Sequence, residues 1–156
     1  MSNSSQATPW FDISVAPAVT AGAYSANDIV GGLLTFPVGQ GQPTVAVVTG
    51  VHVGIKAAVT STLTLLLFDS VPANGGSVAD NAAMALAAGD VAKLAKAVPV
   101  STLFDCGTPN AYSSDGLSIA IRPADGVNLY GLLIDGTGFT LASVSDILVR
   151  LRGYRT

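Results

Sequence analysis

The amino-acid sequence predicts an all-β protein, an eight-stranded jelly-roll-like β-sandwich or barrel that carries one short helix. Three observations predict this class. Short runs of apolar residues recur along the 156 residues, and Gly, Pro, Asn and Asp separate them. All ten acidic residues are Asp, which favours turns and caps over helix interiors. Eight short strands joined by polar turns are typical of sandwiches and barrels, among which the jelly roll has eight strands.

Turn-forming residues mark the ends of the predicted strands. The strands are predicted over residues 10–19, 33–36, 44–56, 62–69, 98–105, 117–122, 127–135 and 145–152. Pro9 and Pro17 keep the first strand extended, and Pro37 ends the second. The third strand is the clearest, because apolar residues occupy its odd positions and are predicted to share one face. These residues are Val45, Val47, Val51, Val53 and Ile55.

The later strands show the same two-residue period. Their alternating apolar positions are Leu63, Leu65 and Leu67, then Leu117, Ile119 and Ile121, and finally Ile147, Val149 and Leu151. The turn at 123–126 leads into a mostly apolar strand at 127–135, and Gly136 and Gly138 follow that strand. No repeat of 20–50 residues occurs, which excludes solenoids and propellers.

One helix is predicted, at about residues 89–96, between the fourth and fifth strands. Asp90 can cap its first turn, and Val91 and Leu94 fall on one face. Lys93 and Lys96 lie near its C-terminal end, where positive charge is favourable. Pro99 prevents the helix from continuing, so the chain is expected to return to a strand there.

The chain carries unusually few charges. Only 11% of its residues are charged, namely 7 Lys and Arg and 10 Asp, whereas about a quarter is usual in soluble domains. A monomer of this mass exposes roughly 7,000 Å², and contiguous apolar patches above a few hundred Å² usually mark contacts. The composition therefore favours a subunit that covers much of its surface with partners. A weakly charged monomer, kept in solution by Ser and Thr, is the alternative.

Length and composition predict one β-sandwich domain at 10–156, preceded by a polar, flexible N-terminal arm at 1–9. The first residues lack the charged and apolar regions of a signal peptide, and we expect no membrane segment. A net charge of −3 argues against nucleic acid as the main partner. Because Cys106 is the single cysteine, no intrachain disulfide is possible.

The residue chemistry predicts neither an enzyme nor a cofactor or metal site. His52 is the single histidine and lies in mid-strand between two valines, where a structural or interface role is expected instead of that of a catalytic base. Cys106 follows Asp105, whose charge would hinder thiolate formation. The sequence has no cluster of zinc ligands and no phosphate-binding glycine loop.

Three segments resemble small structural proteins of tailed bacteriophages. Residues 24–36 read YSANDIVGGLLTF and are similar to the Y-S-A-x-D-x-x-G-G-x-L-T-F stretch of that family. Residues 65–72, LLLFDSVP, resemble its L-x-L-F-D-x-x-P strand and turn. Residues 80–86 and 90–94, DNAAMAL and DVAKL, resemble a third block. The resemblance implies a virion component, and within that class a capsid cement or decoration protein, and it implies no catalytic residue.

Composition and resemblance together lead us to expect a homodimer or homotrimer on the capsid surface, made in the host cytoplasm and bound to the major capsid protein. Two contact regions are predicted. One is the aromatic pair Trp10 and Phe11, although both could equally pack in the core. The other comprises Arg150, Arg152 and Tyr154, which can dock on an acidic capsid surface.

Three other interpretations remain open at this stage. A tail, neck or head-fibre component of the virion would have the same composition. A jelly-roll carbohydrate-binding module would need exposed aromatic residues on a concave face. An enzyme would be indicated by hydrolase activity that disappears in a His52→Ala variant.

Overall fold

The computed structural model describes residues 9–39, 44–100, 102–144 and 146–156. These residues form eleven β-strands, one 3₁₀ turn at Asn74–Gly76 and one short helix, α1, at Ala88–Val91. The strands are β1 (Trp10–Val15), β2 (Gly22–Tyr24), β3 (Ile29–Pro37), β4 (Ala46–Ile55), β5 (Leu63–Phe68), β6 (Leu94–Val100), β7 (Thr102–Asp105), β8 (Asn110–Ile121), β9 (Asn128–Asp135), β10 (Phe139–Leu141) and β11 (Ile147–Arg155).

Two antiparallel sheets carry the fold, and they confirm the predicted all-β class. One sheet has the strand order β1-β11-β4-β8-β7, and the other has the order β3-β9-β5-β6. The pairs are nested, because β1 joins β11, β3 joins β9, β4 joins β8 and β5 joins β6. This nesting over eight main strands is the jelly-roll arrangement. β2 and β10 form a separate two-stranded ladder, and β7 extends the first sheet at its edge.

The main core lies between the two sheets. Val51, Val53 and Ile55 of β4 are almost fully buried, as their alternation predicts, and they belong to the same cluster as Leu65 and Leu67 of β5. The alternation of core-facing and outward-facing side chains along β4 shifts by one residue at Thr49. A bulge there interrupts pairing to both neighbouring strands. As a result Val48 joins this core cluster, whereas the sequence pattern had placed Val47 there.

The chain itself covers the outer face of the four-stranded sheet. Residues 74–87, which we call the cover segment, lie between β5 and α1. Val78, Met84 and Leu86 of this segment pack over a second cluster of buried side chains. These buried side chains are Ile29, Leu66, Phe68, Leu132 and Ile134. β5 and β9 are consequently buried on both faces, which explains their almost uninterrupted apolar sequences.

Hydrogen bonds hold the cover segment in place. Asn74 accepts a hydrogen bond from the backbone N–H of Ala85 at 2.7 Å. Asp80 accepts hydrogen bonds from the Tyr24 hydroxyl at 2.9 Å and from the N–H of Gly31 at 2.5 Å. These bonds satisfy polar groups that would otherwise lie next to apolar surface without hydrogen-bond partners.

The predicted helix at 89–96 is wrong in its extent. Only Ala88–Val91 is helical, and β6 begins at Leu94 and pairs with β5. Pairing places Val98 and Val100 in the core, so tertiary packing overrides the helix propensity of the Ala and Lys residues. The strand predicted at 98–105 is also divided, because β6 and β7 belong to different sheets.

The predicted arm at 1–9 lies almost wholly outside the described residues, which begin at Pro9. Pro9 belongs to the folded domain, since its carbonyl oxygen accepts a hydrogen bond from the N–H of Arg155 at 2.6 Å.

Candidate interaction surface

The candidate site is the outer face of the five-stranded sheet, which we call the outer face. Side chains alternate along each strand, so every second residue points away from the core. Cross-strand register arranges these residues in four rows. The rows are Trp10–Tyr154–Val47, Asp12–Arg152–Gly50–Asp115, Ser14–Arg150–His52–Ser113 and Leu148–Gly54–Ala111–Phe104.

The two predicted contact regions form one surface. β1 pairs with β11 in a register that sets Trp10 opposite Tyr154. Their rings meet edge to face, with centroids 5.4 Å apart and planes at 65°. Trp10 is 64% exposed, so this aromatic pair presents a large apolar side chain to solvent. Aromatic anchors of this kind dominate binding energy in protein interfaces.

Asp12 bridges the two predicted arginines. The Nε atom of Arg150 lies 3.3 Å from Asp12 Oδ1, and the Nε atom of Arg152 lies 3.4 Å from Asp12 Oδ2. Arg150 Nε also donates a hydrogen bond to Ser14 Oγ at 3.1 Å. Exposed ion pairs contribute only about 0.2–1 kcal/mol each, so the bridge orients the guanidinium groups more than it stabilises the fold.

Phe11 faces the core and is only 6% exposed. The guanidinium of Arg155 lies 5.6 Å from the centroid of its ring, and Arg155 also donates hydrogen bonds to the carbonyl oxygens of Val38 and Trp10. Phe11 therefore packs in the core, which was the alternative to a contact role. The other four residues predicted to make contacts, Trp10, Arg150, Arg152 and Tyr154, lie on the outer face.

His52 lies half-buried in the third row, and its Nδ1 atom is buried without a hydrogen-bond partner. Burial, followed by the positive charges of Arg150 and Arg152, lowers the pKa of His52, and Asp115 partly opposes this shift. Cys106 lies about four residues further along the strands and two strands away from His52, a separation of roughly 16 Å. Its Sγ atom contacts the Phe104 carbonyl oxygen at 3.8 Å. The two side chains thus occupy different parts of the outer face.

The fourth row forms an apolar groove that was not recognised in the sequence. Its volume is about 480 Å³. The groove is lined by Gly54, Ala111 and Leu148 of the fourth row, and by Cys106 and Pro109. Phe104 and Leu148, which are 70% and 38% exposed, stand in the same row. The groove exists because Gly54 and Ala111 have little or no side chain. Residue-type patterns do not reveal such a hollow without the register.

Across the described ranges, no three His, Cys, Asp or Glu side chains are grouped so that they could hold a metal ion. Within the same ranges, no helix has the length and apolarity needed to cross a membrane.

No known protein family matches this chain, and a search of curated proteins also finds no match.

Proposed function

We propose that this chain is a non-enzymatic structural protein of a virus particle, a capsid cement or decoration protein. It binds the assembled shell of major capsid protein and associates with further copies of itself. Its place is the capsid surface, reached after synthesis in the host cytoplasm. The resemblance to tailed-phage structural proteins supports this assignment. A difference between the two sheets, in whether their outer faces are covered, also supports it.

The observation that carries the proposal is that only one sheet has its outer face covered. The cover segment buries the outer face of the four-stranded sheet. On the five-stranded sheet no corresponding hydrophobic cluster forms in the described part of the chain, and Trp10, Phe104 and Leu148 are exposed. Because exposed apolar patches usually mark contacts, the outer face is the natural site for adhesion.

Adhesion of this kind stabilises a shell by mass action. A protein that binds only the assembled state lowers the free energy of that state relative to its separated subunits. Burying apolar area contributes about 25 cal/mol per Å², and exposed aromatic side chains such as Trp10 supply much of that area. The low charge of the chain fits this role, because few charged groups need to lose water on binding.

The test is binding of the purified chain to capsids that lack it. We expect saturable binding at a copy number near that of the coat subunit, measured by sedimentation with the shells. Trp10→Ser should weaken binding about tenfold or more, since Trp10 is an exposed anchor. Val91→Ser is the matched control, because Val91 is also 64% exposed but lies on α1.

Other outcomes would contradict the proposal. Equal binding by the wild type and the Trp10→Ser variant would show that this part of the outer face does not hold the shell. A few copies per particle would instead indicate a tail, neck or head-fibre component. Binding to glycans without any binding to shells would favour the carbohydrate-binding interpretation.

A further inference from the structure

We propose that the protein binds a calcium ion at the end of β9. The oxygen atoms that hold the ion belong to Asp135, Ser61, Thr62 and Thr137, and we call these four residues the hydroxyl site. The inference goes beyond the proposed function and does not depend on it, because the hydroxyl site shares no residue with the four rows of the outer face.

Asp135 places a negative charge inside the fold. It is the last residue of β9 and is 0% exposed. Its cross-strand neighbour is Leu63 of β5, and Leu133, two residues earlier in β9, shares its side of the sheet. Both leucines belong to the core between the two sheets. The Asp135 side chain therefore points into the end of that core, where little water can solvate it.

No positive side chain balances this charge within the described ranges, where the ion pairs use Asp12 and Asp90 instead. Asp135 Oδ1 accepts a hydrogen bond from the Ser61 hydroxyl and another from the N–H of Thr137 at 3.1 Å. Its Oδ2 atom is buried and has no hydrogen-bond partner among the same residues. Because buried charges in proteins are paired or coordinate metal ions, Oδ2 is a ligand atom for a cation.

Hydroxyl groups line a hollow beside this carboxylate. The hollow has a volume of about 250 Å³ and is lined by Thr60, Ser61, Thr62 and Thr137. Ser61 Oγ and Thr137 Oγ1 lie 3.0 Å apart. Both residues also donate to Asp135 Oδ1, Ser61 through its hydroxyl and Thr137 through its backbone N–H, so the carboxylate reaches the floor of the hollow. A hydroxyl oxygen that donates its hydrogen still has lone pairs with which to bind a cation.

Strand pairing brings these groups together from two distant segments. Leu63 pairs with Asp135, so the residues that precede β5 lie beside those that follow β9. The N–H of Gly136 donates a hydrogen bond to the Thr62 carbonyl oxygen at 2.7 Å. A Cβ atom on Gly136 would overlap Thr62 Oγ1, so the absence of a side chain lets this hydroxyl approach the link between β9 and β10. A cation bound here ties the two segments together.

The ligand atoms favour calcium. All of them are oxygens, which suit hard cations such as Ca²⁺ and Mg²⁺ better than they suit zinc or copper. Ca²⁺ accepts roughly six to eight oxygen ligands in flexible geometry, water included, whereas Mg²⁺ needs a near-ideal octahedron. The hydroxyl site has one carboxylate, so it differs from the groups of three His, Cys, Asp or Glu side chains that the described residues lack. A single negative charge implies weak binding, with a Kd of about 1 mM.

The experiment is thermal unfolding of the purified full chain at neutral pH, with and without calcium chloride. Calcium at about ten times its Kd should raise the melting temperature by roughly 3–5 °C, because it binds only the folded state. Sodium chloride at matched ionic strength is the salt control.

Terbium luminescence, excited through tyrosine, tests the location of the ion. The Tyr112 hydroxyl oxygen accepts a hydrogen bond from the N–H of Ser61 at 3.2 Å, so this ring lies next to the hydroxyl site and can sensitise a terbium ion bound there. We expect calcium to displace the terbium and to quench the sensitised emission.

Three variants separate this site from binding to surface charge. Asp135→Asn should weaken calcium binding at least tenfold, because it removes the charge of the site. Thr137→Val removes one hydroxyl from an exposed residue and should weaken binding about threefold or more. Asp69→Asn is the matched control, since it changes the net charge equally but follows β5 at the end away from Ser61. Circular dichroism checks folding, and Thr137→Val carries the test if Asp135→Asn does not fold.

Four results would overturn the proposal. The first is an unchanged melting temperature of the wild type at about 10 mM calcium. The second is equal stabilisation by sodium chloride, which would show a general effect of salt. The third is a calcium affinity that stays the same in Asp135→Asn and Thr137→Val. The fourth is an equal loss of affinity in Asp69→Asn, which would show an adventitious ion only.

Discussion

At the scale of single residues, the buried carboxylate of Asp90 organises the link between β5 and β6. Its oxygens accept hydrogen bonds from the backbone N–H groups of Ala73 at 2.8 Å, Asn74 at 2.9 Å and Ala87 at 3.1 Å. Lys93 Nζ lies 3.3 Å from Asp90 Oδ1. The sequence suggested Asp90 as a helix cap, and its bond from the N–H of Ala87, the N-cap residue of α1, fits that role. Its bonds from Ala73 and Asn74 also hold the start of the cover segment.

These bonds make the stability of the fold depend on pH. The hydrogen bond from Ala73, with those from Asn74, Ala87 and Lys93, lowers the pKa of Asp90 from 3.8 to about 2, against the opposing effect of burial. A carboxyl group with a lowered pKa stabilises the fold above its unfolded-state pKa, and this stabilisation is lost as the pH falls through the folded-state pKa. The loss is therefore expected between about pH 5 and pH 2.

We predict that Asp90→Asn lowers the melting temperature by about 5–10 °C at pH 7. Asn keeps one acceptor oxygen but turns an N–H₂ group toward backbone donors, so at least one buried donor loses its partner. The variant should also lose less stability than the wild type between pH 5 and pH 2. Thermal unfolding followed by circular dichroism across that range measures both effects. A parallel acid profile in the two proteins would contradict the role assigned to Asp90.

At the scale of elements, the close approach of β11 to β4 depends on Gly153. The pairing register shifts between Arg152 and Gly153, opposite the bulge at Thr49. A Cβ atom on Gly153 would overlap the backbone oxygen of Val47 and the ring of Phe11. The absence of a side chain at Gly153 therefore lets β11 pack closely against both β4 and β1.

We predict that Gly153→Ala destabilises the fold by about 2–3 kcal/mol, because the overlap involves backbone and a buried ring that cannot move freely. Gly89→Ala is the matched control. Gly89 lies in α1, and a Cβ atom added there would meet nothing within 4 Å apart from its chain neighbours and its own helix, so Ala should be neutral or stabilise by up to about 1 kcal/mol. Chemical denaturation of both variants gives the comparison. Equal stabilities would show that β11 can shift away from β4 at little cost.

The local sequence pattern predicts the strands well where apolar and polar side chains alternate. It predicts them less well where tertiary contacts determine the secondary structure. Leu63–Phe68 and Ile147–Arg155 follow their periodicity. The segment at 94–100 has helix-forming residues but becomes a strand, because β5 offers an unpaired edge. The bulge at Thr49 depends on register with two distant strands, which no local pattern contains.

At the scale of the whole molecule, the jelly-roll pairing brings the two ends of the described chain together and builds the outer face from them. Trp10 and Tyr154 could be selected from the sequence as an aromatic residue near each end. Their contact, the bridging role of Asp12 and the groove beside Phe104 required the register of strands that are far apart in the chain. Residue types therefore indicated adhesion, whereas the geometry of the site came from the topology.

The charge balance of the outer face sets how the molecule meets a charged partner. Asp12 shares its carboxylate between Arg150 and Arg152, and Asp115 lies in the same row as Arg152. The four rows thus carry two arginines and two aspartates, and the long-range field of the face is small. Electrostatic complementarity mainly affects association rate, and salt screens it beyond about 10 Å at 0.1 M.

We predict that Asp12→Asn raises the association rate with capsid shells about twofold to fivefold at low salt, because both arginines then lose their shared counter-charge and can attract an acidic shell surface. The salt dependence of the rate should steepen in the same variant. Asp69→Asn changes the net charge equally but follows β5 in the other sheet, and it should leave the rate nearly unchanged. Surface plasmon resonance on immobilised shells measures both. Slower association of Asp12→Asn would mean that the shell surface facing Arg150 and Arg152 is basic, contrary to the docking that we propose.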